Sequence, residues 1–434
     1  MYCAIDFGTS NSAIAIPDPR APDRMQLVEL EPGYRTMPTA VFYPSERGAG
    51  AACEFGRAAI AAYVDGIEGR LMRSMKSILG SSLVEQTTDV GGGRGLRYLD
   101  VVAGYLRHLR SVAERAAGAA LTRAVLGRPV FFVDDDPRRD AAAEGALRSA
   151  AAAAGFREVE FQYEPIAAAF DHEQSVVAEE RVLVADIGGG TSDFSVVRVG
   201  PEQRRRKDRR SDILASHGVH VAGTDFDRRI ELAAILPALG YGALGPPQRD
   251  GAARIVPSRA YLDLATWHLI NTAYAPRRVA ELRAMRRYYA DPRLHARLMK
   301  VIDRRLGHDL AARAEAAKIA VAGGFPATIA LDLVEPGLAS EVTESAAARW
   351  LDGDFERIVD AARQTVALAG MAAGDVDALY FTGGSTGLRL LAERIASAFP
   401  KARRVEGDRF ASVASGLAIE ARRRYADSAA GSVG

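Results

Sequence analysis

The sequence predicts an α/β fold made of two duplicated halves, each opening on a β-hairpin with a glycine turn. Three stretches carry this. Residues 2–16, YCAIDFGTSNSAIAI, run strand, Asp-x-Gly-Thr turn, strand. Residues 182–199, VLVADIGGGTSDFSVVRV, repeat that device, with Asp186 standing 180 residues after Asp6. Residues 378–396, ALYFTGGSTGLRLLAERIA, run a strand into Gly383-Gly384-Ser385-Thr386 and then a helix. The apolar runs fit buried strands, and the short spacing in the first two makes hairpins.

The turns need a chemical reason. Asn-Gly or Asp-Gly already suffices for a tight turn. Gly188, Gly189 and Gly190 exceed that need. Residues without Cβ let backbone N–H groups approach an anion such as phosphate. Asp186 and Asp193 bracket the turn, and carboxylates do not bind phosphate directly. A Mg²⁺ between them explains the mixture, because it takes oxygen ligands and keeps waters. A glycine-rich structural hairpin is the alternative for one copy alone. Two copies suggest two lobes with a nucleotide cleft between them, and the 383–386 loop before a helix adds an anion-friendly end.

In chain order, the first lobe core takes residues 1–38 and 97–180. A cap subdomain, 39–96, leaves it and carries Lys76. Within that cap, GGGRG at 91–95 lacks the Lys-Ser/Thr of a P-loop and reads as a turn. Asp136-Pro137 starts a helix with proline at its first position, and Gly155 ends it. Glu164 opens the next helix. The second lobe core takes 181–228 and 343–424, and its own cap takes 229–342. RRRKDRR at 204–210 reads as a solvated hairpin tip. His217 and His220 suggest a metal pair, but three-residue spacing in a strand puts them on opposite faces. Residues 276–310 are arginine-rich and helical, either a solvated hairpin or a docking surface. From Asp354 to Gly370 an amphipathic helix turns Phe355, Ile358, Val359, Ala362 and Val366 to one face. Residues 425–434 form a polar tail.

Five motifs stand in a familiar order: AIDFGTSNS, YEPIAAAF at 163–170, VADIGGGTSDFSVV, HVAGTDFDRRI at 220–230, and LYFTGGST. With the closing segment FASVASGLAIEARRR, the chain resembles the nucleotide-binding part of the heat shock protein 70 (DnaK-type) chaperones. The resemblance covers residues 1 to about 424 and is nearest to the shorter bacterial YegD-like chaperones. It implies the actin-like ATPase fold, with ribonuclease H-like duplicated lobes, and ATP or ADP with Mg²⁺ as ligands. It implies that Gly8, Thr9, Ser10 and Asn11 form the first phosphate loop and Gly188, Gly189, Gly190 and Thr191 the second. Lys76, Glu164, Asp186 and Thr191 take the catalytic positions. Asp6, Asp186 and Asp193 face the metal, mainly through water. Gly223, Glu315, Lys318, Gly383, Gly384 and Ser385 complete the nucleotide contacts. Two positions depart from the family pattern. Gly387 stands where many members place an arginine on the base, and Ala322 where a serine is common.

The resemblance implies a slow Mg²⁺-dependent ATPase with a chaperone-related role. The DnaK-type peptide-binding domain has no counterpart in these residues. Protein clients or co-chaperones are the expected partners, through the second cap. The other readings are a small-molecule kinase of the actin and hexokinase superfamily, and an actin-like polymer or interaction module. Net charge is +1, so no whole-molecule field draws the chain to nucleic acid or membrane. Two cysteines, Cys3 and Cys53, have no metal-ligand company and fit a reducing compartment. With no leader pattern and no long apolar run, the expectation is cytoplasmic.

Overall fold

A computed structural model describes residues 1–45, 53–81, 83–90, 95–133, 136–247, 253–407 and 411–426. The first sheet contains β1 (Tyr2–Phe7), β2 (Asn11–Asp18), β3 (Ala21–Leu27), β4 (Arg123–Arg128) and β5 (Glu158–Tyr163). Its order is β3-β2-β1-β4-β5, with β1 to β3 antiparallel neighbours and β4 and β5 parallel to β1. Strand Thr36–Pro38 pairs onto β2. The second sheet contains β6 (Glu180–Ile187), β7 (Ser192–Val199), β8 (Ile213–Val219), β9 (Ala378–Thr382) and β10 (Arg403–Glu406). Its order is β8-β7-β6-β9-β10, with the same directions in the same places. The chain therefore builds one topology twice, as the repeated hairpins led us to expect.

Alternation along a strand explains how the sheets stack. Cys3, Ile5 and Phe7 of β1 point into an outer core, while Tyr2 and Ala4 point into an inner one. In β6, Leu183, Ala185 and Ile187 point outward, and Val182 and Val184 join the same inner core. Strands buried on both faces must be apolar throughout, which is why they read as unbroken runs. In the first half the flanking helices are α1 (Gly56–Val64), α2 (Tyr98–Ala117), α3 (Pro137–Ala153) and α4 (Glu164–Ser175). In the second half they are α5 (Gly223–Ile230), α6 (Gly307–Ala322), α7 (Glu344–Leu368), α8 (Arg389–Ala398) and α9 (Ser412–Tyr425).

The inner core holds α4 and α9 with residues of both sheets. The helices cross closely at Gly416, where a Cβ would stand 1.8 Å from the Ala167 carbonyl oxygen. An alanine there would push the helices apart at a cost of about 1–3 kcal/mol. Helix α3 starts and stops as its sequence predicts. Asp136 accepts from Arg139 N–H at 3.1 Å, Pro137 is first in the helix, and Gly155 follows the end at φ +104°.

The two excursions have their own small cores. Strand Ala40–Pro44 and α1 enclose one, and residues 230–347 enclose the larger. The arginine-rich stretch is an amphipathic packed layer: Leu282, His295, Leu298, Val301 and Ile302 are buried, whereas the Arg277 side chain is 94% exposed. Helix α7 buries the predicted face but starts at Glu344 rather than Asp354, because Thr343 caps it, accepting from Ala346 N–H at 3.2 Å. No helix among the described residues is long and apolar enough to cross a membrane. Residues 91–94 of the GGGRG turn and 427–434 of the tail lie outside the described residues.

One expectation fails within 204–210. Arg209 is not solvated: it is 2% exposed. It donates to Glu173 at 2.8 and 3.0 Å and to Asp212 at 2.6 Å. Charge alone marked this run as surface. The two buried carboxylates that pull Arg209 inward lie outside the run, at positions 173 and 212.

Candidate functional site

A cavity of about 1370 Å³ opens between the two sheets and the two excursions. Asp6, Gly8, Thr9, Ser10 and Asn11 border it from the first hairpin. Asp186, Gly188, Gly189, Gly190, Thr191 and Asp193 border it from the second. Lys76, Glu164, Gly223, Glu315, Lys318, Gly383, Gly384 and Ser385 complete the wall. Every residue singled out for a site thus reaches one space.

Local geometry explains each placement. Asp186 and Asp193 are direct cross-strand partners, so the glycine turn holds both carboxylates at the same level. Thr191 donates its hydroxyl to Asp193 at 2.7 Å. The Gly188 N–H is spent inside the turn, on the Thr191 carbonyl at 3.0 Å. Its carbonyl accepts from Gly223 N–H at 3.2 Å and from the Ser385 hydroxyl at 2.8 Å. Gly188 is therefore the junction of three loops. Gly383, at φ +85°, sits so close that a Cβ would lie 2.6 Å from Asp186 Oδ1. The 384–387 residues form a 3₁₀ turn, and α8 begins only at Arg389, so the loop is not the helix N-terminus that its sequence suggested. The first turn is buttressed by Thr39, whose hydroxyl donates to the Gly8 carbonyl at 2.8 Å.

Lys76 lies in a 3₁₀ turn, Met75–Ile78, entered through Ser74 in the left-handed region at φ 53°. Lys76 is 8% exposed, and its ammonium pairs with Glu164, which α4 presents at its first position. Burial opposes the Lys76 charge, but Glu164, Asp6 and Asp186 more than offset it, and its pKa rises. Burial, then Glu164, pushes Asp6 up to about 7. Burial, then Asp193, Glu164 and Asp6, pushes Asp186 up to about 8. Asp193 is raised too, by burial first; it faces the open cavity and keeps solvent contact there although protein surrounds it. One lysine thus stands beside Glu164 and among three aspartates, Asp6, Asp186 and Asp193, that resist ionising together. Among the described residues, no three carboxylate, histidine or thiol groups converge as a direct metal-ligand set.

On the far wall, Lys318 of α6 pairs with Asp227 at 2.7 Å. Ala322 and Gly387 both border the cavity, as does Arg389, which pairs with Glu344 and, at 2.7 Å, with Glu393. His217 and His220, expected on opposite faces, both border it, because β8 ends at Val219 and strand alternation does not extend to His220. Asp227, Thr39, Arg73 and Trp267 were not singled out by sequence reasoning. Asp227 alone carried a local signal, standing in HVAGTDFDRRI one helical turn past Gly223.

The family model for Hsp70 protein matches residues 2–233, more than half of the chain. The chain belongs to the Hsp70 family. Chaperone protein DnaK of Thermosipho melanesiensis is 31% identical over 228 residues, which are 52% of this chain and 34% of that protein. A Chaperone protein HscA homolog of Laribacter hongkongensis is 29% identical over 306 residues, 65% of this chain and 45% of that protein. Chaperone protein DnaK of Prochlorococcus marinus is 30% identical over 246 residues, 52% of this chain and 35% of that protein. The match spans less than half the length of each relative. These relatives favour the heat-shock reading over the kinase and polymer readings. Glu315, Lys318 and Gly383 to Ser385 lie beyond the residues matched to the Hsp70 model, so the structure alone brings them to the cavity.

Proposed function

We propose that this Hsp70-family chain binds ATP and ADP with Mg²⁺ in the cavity and hydrolyses ATP slowly, in a chaperone-related role in the cytoplasm. The observation that carries the reading is the Lys76–Glu164 pair set among Asp6, Asp186 and Asp193, at the mouths of two glycine turns. The fold is then the actin-like one: two lobes with cores 1–38 plus 97–180 and 181–228 plus 343–424, and caps 39–96 and 229–342.

Phosphoryl transfer to water asks mainly for positioning and for neutralised phosphate charge. The turns at Gly8–Asn11 and Gly188–Thr191 bring backbone close to the phosphates. Lys76 keeps a buried positive charge for the terminal phosphate and its attacking water. Removing one such preorganised donor costs about 3 kcal/mol of barrier, by analogy with oxyanion-hole donors. Glu164 orients that water and holds Lys76 in place. Asp6, Asp186 and Asp193 would hold Mg²⁺ mainly through water. When bound, the ion neutralises phosphate charge. Glu315 and Lys318 face the sugar, and Gly383, Gly384 and Ser385 the base. Gly387 and Ala322 leave the base with fewer partners, which predicts looser base selectivity. Clients or co-chaperones remain the expected protein partners, through cap 229–342.

Equilibrium dialysis tests the binding. ATP and ADP should both be retained by the chain with Mg²⁺, and by Lys76→Ala as well. If neither nucleotide is retained by the unaltered chain, the reading is wrong.

A further inference from the structure

Helix α5 joins two parts of the site that no backbone hairpin connects. Its first residues are fastened to the glycine turn: Gly223 N–H donates to the Gly188 carbonyl at 3.2 Å, and Thr224 donates to the Gly189 carbonyl through N–H and hydroxyl, each at 2.8 Å. One turn later, Asp227 reaches the opposite wall. Its carboxylate lies 2.7 Å from the Lys318 ammonium, which also lies 3.4 Å from the Gly223 carbonyl. Lys318 therefore spans the whole first turn of α5. Asp227, Lys318 and Glu315 all border the cavity. The pair is mostly enclosed, with side chains 20% and 12% exposed, so the attraction is weakly screened.

We propose that Asp227 is a positioning residue of this site, setting through Lys318 the sugar-facing side of α6 against the glycine turn Gly188–Gly190. The inference rests on the nucleotide reading above and adds the residue that keeps the sugar wall and the phosphate wall in register. An ammonium on a flexible stem is a poor locator by itself. The ion pair with a helix fixed to the phosphate turn supplies the missing constraint. Without it Lys318 keeps only the long contact to the Gly223 carbonyl, and Glu315, one turn earlier on α6, has a less firmly placed neighbour.

The charges around Asp227 make the link pH-sensitive. Burial pushes Asp227 up to about 6; Lys318 pulls it down, while Glu315 and Asp225 push it up. Glu231, one turn further along, is buried and is itself raised, by burial and then by Asp227. Arg73 faces Glu315 from the other side of the cleft. The Asp227–Lys318 ion pair is therefore present above about pH 6 and lost below it.

Calorimetry on the full chain with Mg²⁺ tests this, with ADP and inorganic pyrophosphate as the two probes. Near pH 7.5, Asp227→Asn should weaken ADP by about tenfold, the effect of losing one charge-assisted contact. Pyrophosphate, which has no sugar, should change by less than about twofold on the same reasoning. Asp227→Glu should recover most of the ADP affinity. The unaltered chain and Asp227→Asn should converge as the pH falls towards about 5, where the carboxylate is protonated. Asp227→Ser carries the same expectation and serves if Asp227→Asn does not fold. The inference is overturned if the variants bind ADP as the unaltered chain does. It is equally overturned if ADP and pyrophosphate weaken together, since that marks damage to the phosphate turn. If the unaltered chain binds neither probe, the nucleotide reading itself falls and takes the inference with it.

Discussion

Lys76 keeps its charge in a place where burial alone would remove it, and the reason lies in three neighbours on three other segments. Glu164, Asp6 and Asp186 stabilise the ammonium, while the lysine only partly relieves their mutual repulsion. The unequal outcome has a consequence for stability. Asp6 and Asp186 have an ordinary value of 3.8, and in the folded chain they titrate at about 7 and about 8. The folded state therefore holds protons that the unfolded state has released. Each group's contribution is complete below about pH 4 and is lost as pH rises through its folded value. We predict that the melting temperature of the ligand-free chain falls between about pH 5 and pH 8, and that Asp186→Asn flattens this fall by roughly 1–3 kcal/mol across the range. Thermal unfolding in a pH series checks this. Equal slopes for the two proteins would refute the charge balance described here. Arg209 shows the opposite case, a buried cation fully paired with Glu173 and Asp212. Truncating it would leave Glu173 a buried carboxylate without its cation, while Asp212 keeps Arg206 at 3.0 Å, at a cost of about 3–5 kcal/mol.

Among the elements, the hairpins were legible because their signals are local. Asp6 to Asn11 and Asp186 to Asp193 carry strand, turn and strand within a few residues, and the register places Asp186 opposite Asp193. The cap of α3 and the buried face of α7 were legible for the same reason. Contacts between distant elements left no such trace. Lys76 meets Glu164 across 88 residues of chain, and only the family resemblance pointed to that meeting. The aromatic bridge over the cavity mouth is another example. Tyr63 of α1 stacks on Trp267 at 5.2 Å and meets His308 at 5.5 Å, while Arg73 lies 4.3 Å over the Trp267 ring. Nothing near position 63 or 267 in sequence announces the other. If the cleft must open to release nucleotide, this bridge must part. One aromatic pair is worth about 0.5–1.5 kcal/mol. Tyr63→Ala should then speed nucleotide release by roughly threefold to tenfold in stopped flow. With Trp350→Phe as background, Trp267 emission should change when nucleotide binds. Unchanged release and unchanged emission would mean that the bridge is not part of the opening.

At the scale of the molecule, the repeated strand order is the feature the sequence displayed most plainly, because each copy begins with its own Asp and glycine turn. What it could not display is how α4 and α9 join the sheets through one inner core, since that depends on a close crossing at Gly416. Packing the two sheets on that core brings both glycine turns to the same cavity. The central claim is that this arrangement cleaves ATP with Lys76 as the decisive charge. Single-turnover hydrolysis of ATP with Mg²⁺, run on the unaltered chain and on Lys76→Ala, tests it most directly. The account predicts slow cleavage by the first and, in the second, binding with a rate lower by about 100-fold, the equivalent of roughly 3 kcal/mol. Equal rates in the two proteins, or ATP bound by the unaltered chain and never cleaved, would contradict it.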